Sequence, residues 1–295
     1  MSRGEGSRSP HLQDLVLIKA LKKIFEKIFK NPLTNLQKYG IIYMSRGERG
    51  LLPMAEREER KKVNIIVFDT ETAGVKTQSL LNVGYMIVNL NLTDFTYKTK
   101  VKRDYLMRDV YNNTMWLRND MFVGDNKLAV MRHNIEHKGA ILRTEKQVFE
   151  QLARDLDRYN VEVGYAYNCQ FDTDKFAKTA IAYGLTNPLE KIKVFDLWGF
   201  AYWNICMTAE YQKFCLANSL TTKSGKHFPT SVEGVTKFLN QDIDFVEEHT
   251  ALSDVYWELR ILCECAKRGQ NILEWVTRGG WIKLNGEVDE TKEGV

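Results

Sequence analysis

Ten residues constrain this chain more than any others: Val63-Asn64-Ile65-Ile66-Val67-Phe68-Asp69-Thr70-Glu71-Thr72. Five of the first six are apolar and four of those are β-branched, which predicts a strand buried on both faces. Asp69 ends that strand and Glu71 follows two positions later. Residues i and i+2 of an extended chain lie on the same side, so both carboxylates can converge at the strand's end. Two anions there are costly without a positive partner. A divalent metal held by oxygen ligands is the simplest such partner.

With 295 residues there is room for one large domain or two small ones. A hydrophobic content of 44% and a charged content of 27% are those of an ordinary soluble protein. The net charge of +4 permits an acidic partner without demanding one. No apolar run is long enough to span a bilayer, so no transmembrane segment is expected. The stretch from Leu12 to Phe29 is interrupted by Asp14, Lys19, Lys22, Lys23, Glu26 and Lys27, unlike a secretory signal. Cys169, Cys206, Cys215, Cys263 and Cys265 make an odd number with no CxxC. Cys263 and Cys265 point apart on a predicted helix and suit neither a disulfide nor zinc. Reduced thiols in a cytoplasmic protein are the expectation.

Residues 1–11 are rich in Ser, Arg and Gly and are expected to be disordered. A basic amphipathic helix is predicted over 12–30, with Leu15, Ile18, Leu21, Phe25 and Ile28 near one face and Asn31-Pro32 ending it. It could pack on the main domain, lie on a membrane or bind a partner. Residues 44–62 read as a linker. The expected division is an N-terminal extension over 1–61, a main domain over 62–270 and a C-terminal tail over 271–295. Arg46-Gly47-Glu48-Arg49-Gly50 can be encoded by an almost pure purine run just before Met54, as a translated ribosome-binding site would be. Residues 1–53 are therefore either an accessory segment or the product of a start codon placed too early.

After the first strand, Leu81 to Asn89 and Phe95 to Val101 read as second and third strands of a meander. Val110 to Gly139 is polar and irregular and is expected to form short helices and loops. Thr144-Glu145-Lys146-Gln147 offers a capping box, with Val148, Leu152 and Leu156 continuing a helix to Tyr159. Val161 to Tyr167 is a strand, and Phe171 to Tyr183 a helix with Phe176, Ala177, Ala180 and Ile181 inward. Lys193 to Trp198 is a short strand. Thr230 and Glu233 fit a capping box opening a helix to Leu239, and Thr250 to Lys267 is a long final helix. Three early strands followed by alternating helices and strands predict an α/β domain with a mixed sheet.

Two further carboxylate motifs stand at element ends. Val161 to Tyr167 runs into Asn168-Cys169-Gln170-Phe171-Asp172, and His249 precedes Asp254 by five residues at the start of the last helix. In open α/β sheets ligands bind beyond the carboxyl ends of strands. The series Asp69-x-Glu71, Asn168-x-x-Phe171-Asp172 and His249-x-x-x-x-Asp254 resembles the three motifs of the DEDDh, or DnaQ-like, 3′–5′ exonucleases of the ribonuclease H-like superfamily. The resemblance covers about residues 62–268. Three motifs in this order, each on the expected element, are hard to obtain by chance. The other branch of that family has a tyrosine where Thr250 stands here, so the histidine branch fits better.

The resemblance implies a ribonuclease H-like mixed sheet flanked by helices, with an N-terminal helical extension. It also implies hydrolysis from the 3′ end of single-stranded DNA or RNA with release of nucleoside 5′-monophosphates. Such hydrolysis benefits from two cations about 4 Å apart that stabilise the attacking and leaving oxygens. Asp69 would bridge both ions, Glu71 and Asp254 would complete the site of one, and Asp172 would hold the other. Oxygen ligands favour Mg²⁺, two per site, with Mn²⁺ as substitute. His249 would be the general base, since histidine ionises near neutral pH. Thr70, Thr72, Asn168 and Phe171 match positions near the substrate in the family pattern. The loop from Lys223 to His227 is either a phosphate contact or a solvated loop, and His133 and His137 read as surface residues rather than zinc ligands. A polymerase or other replication partner is possible for such an enzyme, and the oligomeric state is open. The rival is a nucleic-acid-binding or accessory protein on the same fold, which usually arises by loss of an acidic ligand; all four carboxylates and the histidine are present here.

Overall fold

The computed structural model describes residues 62–73, 79–113, 125–222, 224–274 and 284–285. The predicted helix over 12–30 and the linker over 44–62 fall outside this range, apart from Lys62. The first strand is β1, Lys62–Thr72. It is followed by β2, Leu80–Asn91, and β3, Tyr97–Met107, in an antiparallel meander. A short strand, β4, Ile141–Arg143, lies parallel to β3. On the other side of β1, β5, Val163–Ala166, runs parallel to it, and β6, Lys193–Asp196, parallel to β5. The sheet order is β4-β3-β2-β1-β5-β6. The chain thus forms the expected α/β fold, a mixed sheet flanked by helices.

Strand β1 is buried on both faces because its side chains alternate between two cores. Ile65 and Val67 join Met86, Val255 and Leu259 in one, while Ile66 and Phe68 join Tyr85, Val148 and Phe176 in the other. Each fully buried side chain of this kind contributes about 1.5–3 kcal/mol. Asp69 does not end the strand as expected: β2 pairs with it as far as Thr72, with an irregularity between Glu71 and Thr72. Likewise β3 outruns its predicted end at Val101 by six residues, since β2 offers it a partner that far.

The helices along the described chain are α1, Arg108–Asn112; α2, Asp125–His133; α3, Glu145–Arg158; α4, Cys169–Tyr183; α5, Leu197–Ala201; α6, Ala209–Ala217; α7, Val232–Asn240; and α8, Ala251–Lys267. The capping box of α3 forms as expected, Thr144 and Gln147 serving each other's backbone. In α4 the inward face is turned from the expected one. Asp172, Lys175, Phe176, Thr179 and Ala180 are buried, whereas Ile181 is 83% exposed. The cap of α7 is Ser231 rather than Thr230, whose hydroxyl instead accepts from Trp198 Nε1 at 3.0 Å. The segment 197–217, for which no element was predicted beyond Trp198, carries α5 and α6. Among the described residues no helix is long and apolar enough to cross a membrane, and the five cysteines are free. Ile272 is buried in the core, and Leu284–Asn285 pairs with His227–Phe228.

One junction fixes where the last helix begins. Thr250 gives α8 no side-chain cap, but Asn82 of β2 does: its Oδ1 accepts from Ala251 N at 2.8 Å. The Asn82 amide is itself held by Asp104 Oδ1 and the Tyr105 carbonyl of β3. Two residues on, Gly84 leaves room for the helix to lie on the sheet. A Cβ there would meet the Leu252 nitrogen at 2.3 Å and the Ala251 carbonyl carbon at 2.4 Å.

Candidate active site

Asp69 and Glu71 share the sheet face of Ile65 and Val67, the face that α8 covers. Asp254, in the first turn of α8, therefore comes to the end of β1. Thr70 points to the opposite face, where its hydroxyl donates to Asp172 Oδ1 at 2.7 Å in the first turn of α4. Two sheet faces and two helix starts thus deliver four carboxylates to one place. Both helices are entered through a left-handed residue, Asn168 with φ 63° before α4 and His249 with φ 52° before α8. Non-glycine residues there are uncommon, Asn and His less so than most, and such backbone tends to sit at functional sites. The Asn168 amide donates to Asp196 Oδ1 at 3.0 Å, which holds the turn against β6.

The expected residues line one cleft of about 830 Å³, namely Asp69, Thr70, Glu71, Asn168, Phe171, Asp172, His249 and Asp254. Thr72 is half-buried and does not line it. Thr70 is buried, its hydroxyl committed to Asp172. Phe171 is 40% exposed and carries the Lys175 ammonium 4.7 Å from its ring centre, leaving a flat apolar surface at the mouth. His249 is exposed at the rim, its Nδ1 3.8 Å from Glu247 Oε2. A larger cavity of about 1070 Å³ lies on the other face of α8 beside Tyr256 and Arg260, away from Asp69, Glu71 and Asp172. His133 and His137 are exposed and belong to no cluster of ligands.

Carboxylates crowd the buried end of this cleft. Ligand atoms of Glu71, His249 and Asp254 all lie within 4.8 Å of one another. Burial, then the charges of Asp172, Glu258, Asp254 and Glu71, push the Asp69 carboxyl well above the usual carboxylate range. Burial pushes Asp172 up to about 7 against the lowering hydrogen bonds from Thr70. Burial, then Glu247 and Glu71, push Asp254 up to about 9, with Lys127 opposing. Asp69 Oδ2 and Asp254 Oδ1 are buried with no hydrogen-bond partner, a costly state for oxygen atoms unless something binds them. One cation is already near: Lys127 Nζ of α2 lies 2.7 Å from Glu71 Oε2. Oxygen donors, orphaned and crowded, fit Mg²⁺ or Mn²⁺. Among the described residues Glu71, His249 and Asp254 are near enough to share one ion, with Asp69 and Asp172 in the same cleft.

Several residues of the cleft were not found in the sequence. Glu247 is largely buried and hydrogen-bonded to Asp254, and Glu258 stands one helical turn beyond Asp254. Its i+4 spacing from Asp254 was the signal that could have revealed it. Lys127 left no signal, because its partner Glu71 is remote in sequence. From the basic loop, His227 reaches the cleft wall, beside Thr221 and Thr222; Lys223 lies outside the described residues.

No family model matches the chain, and no curated protein does. Among solved structures it is similar to E. coli Exonuclease I in complex with a 5cy-dT13 oligonucleotide, with TM-score 0.40, 14% identity, and coverage of 70% of this chain and 41% of that one. A complex of ExoI with SSB-Ct gives TM-score 0.42, 12% identity, and coverage of 70% and 42%. Exonuclease I with a dA16 oligonucleotide gives 0.38 and 14%, covering 70% and 41%. The chain spans about two fifths of the length of the structures it matches.

Proposed function

We propose that this chain is a metal-dependent 3′–5′ exonuclease of the DnaQ-like group, hydrolysing single-stranded nucleic acid to nucleoside 5′-monophosphates. The observation that carries the reading is the convergence of Asp69, Glu71, Asp172, Asp254 and His249, from three separate sequence motifs, on one cleft. Direction and product rest on the motif resemblance. Divalent cations, when bound, would stabilise the attacking and leaving oxygens of the phosphodiester. The chain's own residues do the rest. Asp69 stands centrally, between the face of α8 and the Asp172–Thr70 pair, and so can serve both ions. Thr70 fixes the Asp172 carboxylate through its Oδ1. With Nδ1 turned to Glu247, His249 Nε2 is the atom that takes the proton of the attacking water. Exposed Phe171 offers a face on which a terminal base can stack.

The test is digestion of matched 3′-labelled single-stranded DNA, single-stranded RNA and duplex with Mg²⁺, followed by identification of the products. Asp69→Ala is expected to abolish hydrolysis with the fold retained, since the strand's apolar residues remain. Wild-type turnover by that variant would remove this cleft from the reaction.

A further inference from the structure

Glu258 is not among the three motifs, yet it is as deeply buried as Asp172 in the same cleft. It is 1% exposed and lines the cavity with Asp69, Asp172 and Asp254. The i, i+4 spacing puts it on the same face of α8 as Asp254. Its Oε1 accepts from the Tyr167 amide at 3.3 Å, at the end of β5. Its Oε2 is buried and has no hydrogen-bond partner among the described residues.

The amide bond to Tyr167 does not account for a carboxylate here. A glutamine would satisfy the same donor without bringing a charge out of water. Instead the site retains an acid, and Asp172 and then Asp254 are the like charges that act on it most. For Asp69, Glu258 is a stronger influence than Glu71, a motif residue. Lys127 cannot compensate it, being engaged at Glu71. A buried acceptor left open beside two other carboxylates is what a cation ligand leaves when the ion is taken away.

We propose that Glu258 is a further metal-binding residue of this cleft, its Oε2 adding to the charge that Asp69 and Asp172 offer a second cation. The proposal rests on reading the cleft as a two-cation site. Asp172 alone, apart from the shared Asp69, would make that second site the weaker one. An additional carboxylate strengthens it, so the protein holds both ions before substrate arrives.

The experiment is Mn²⁺ titration of the full chain without nucleic acid, followed by electron paramagnetic resonance and calorimetry. Wild type is expected to bind two ions. In Glu258→Gln, which keeps the acceptor for Tyr167, the second ion should bind about 10–100-fold more weakly and the first nearly as before. Both constants within twofold of wild type would overturn the proposal and reduce Glu258 to a partner of the Tyr167 amide. Should Glu258→Gln not fold, Glu258→Asp keeps the charge and shortens the reach by one methylene. A weaker second site in it supports the proposal, and two unchanged constants overturn it. If wild type itself binds no divalent ion at millimolar concentration, the two-cation reading fails together with this proposal. Two ions in wild type with unchanged variants would sink this proposal alone.

Discussion

Replacing Asp172 by asparagine should make the metal-free protein more stable while destroying its use of metal. Asp172 is 1% exposed, and its carboxyl titrates at about 7 against an ordinary 3.8. A group whose folded pKa is raised contributes stability below its unfolded pKa and loses it as pH rises towards the folded value. Between pH 4 and 7 the unfolded chain releases this proton and the folded chain keeps it. Three pH units at about 1.4 kcal/mol each give a ceiling of roughly 4 kcal/mol. The charge is shared with Asp69 and Glu258, so roughly 2–4 kcal/mol is the expected gain from the amide at pH 8. For a domain of this size that is a rise in Tm of roughly 5–15 °C. Asparagine keeps an Oδ1 to accept from Thr70, so the local shape survives. The assay is thermal unfolding in chelator at pH 8 and pH 4.5, then at pH 8 with Mg²⁺. The variant should gain at pH 8 in chelator, match wild type at pH 4.5, and lose most of the wild type's stabilisation by Mg²⁺. Equal Tm values at pH 8, or the same gap at both pH values, would refute the charge argument.

Two further expectations concern catalysis and the seating of α8. His249→Ala should lower the rate by about 10²–10⁴ with Mn²⁺ binding little changed, and an unaltered rate between pH 6 and 9 would remove the imidazole from proton transfer. Gly84→Ala should cost about 1–3 kcal/mol by overpacking, because the contact is with the helix backbone at 2.3 Å; it should also lower activity by displacing Asp254, and denaturant unfolding beside a rate assay checks both.

Much of this site was legible because its parts are local. The run from Val63 to Phe68 has the composition of a buried strand, and the i, i+2 spacing of Asp69 and Glu71 fixes them to one side of it whatever surrounds them. The capping box at Thr144 and the end of α4 at Gly184, with φ 62°, are likewise properties of a few neighbouring residues. By contrast, Thr70, read as a substrate contact, holds Asp172 across 102 residues, and Asn82 caps a helix 169 residues away. Phe176 and Ala180 face inward from α4 as expected, but the face is turned because Asp172 and Lys175 are buried as well, against their usual preference for water. Glu258 escaped notice for the same reason: in sequence it is one more acid on a helix, and only the packing of α8 on the sheet takes it out of solvent. Sequence by itself determined the strands and helices that have a clear period or cap, and which residue types stand at their ends, since periodicity and capping act over a few positions. Only the tertiary structure decided which faces meet, and so how many carboxylates share one buried space, because that depends on contacts between residues a hundred or more positions apart.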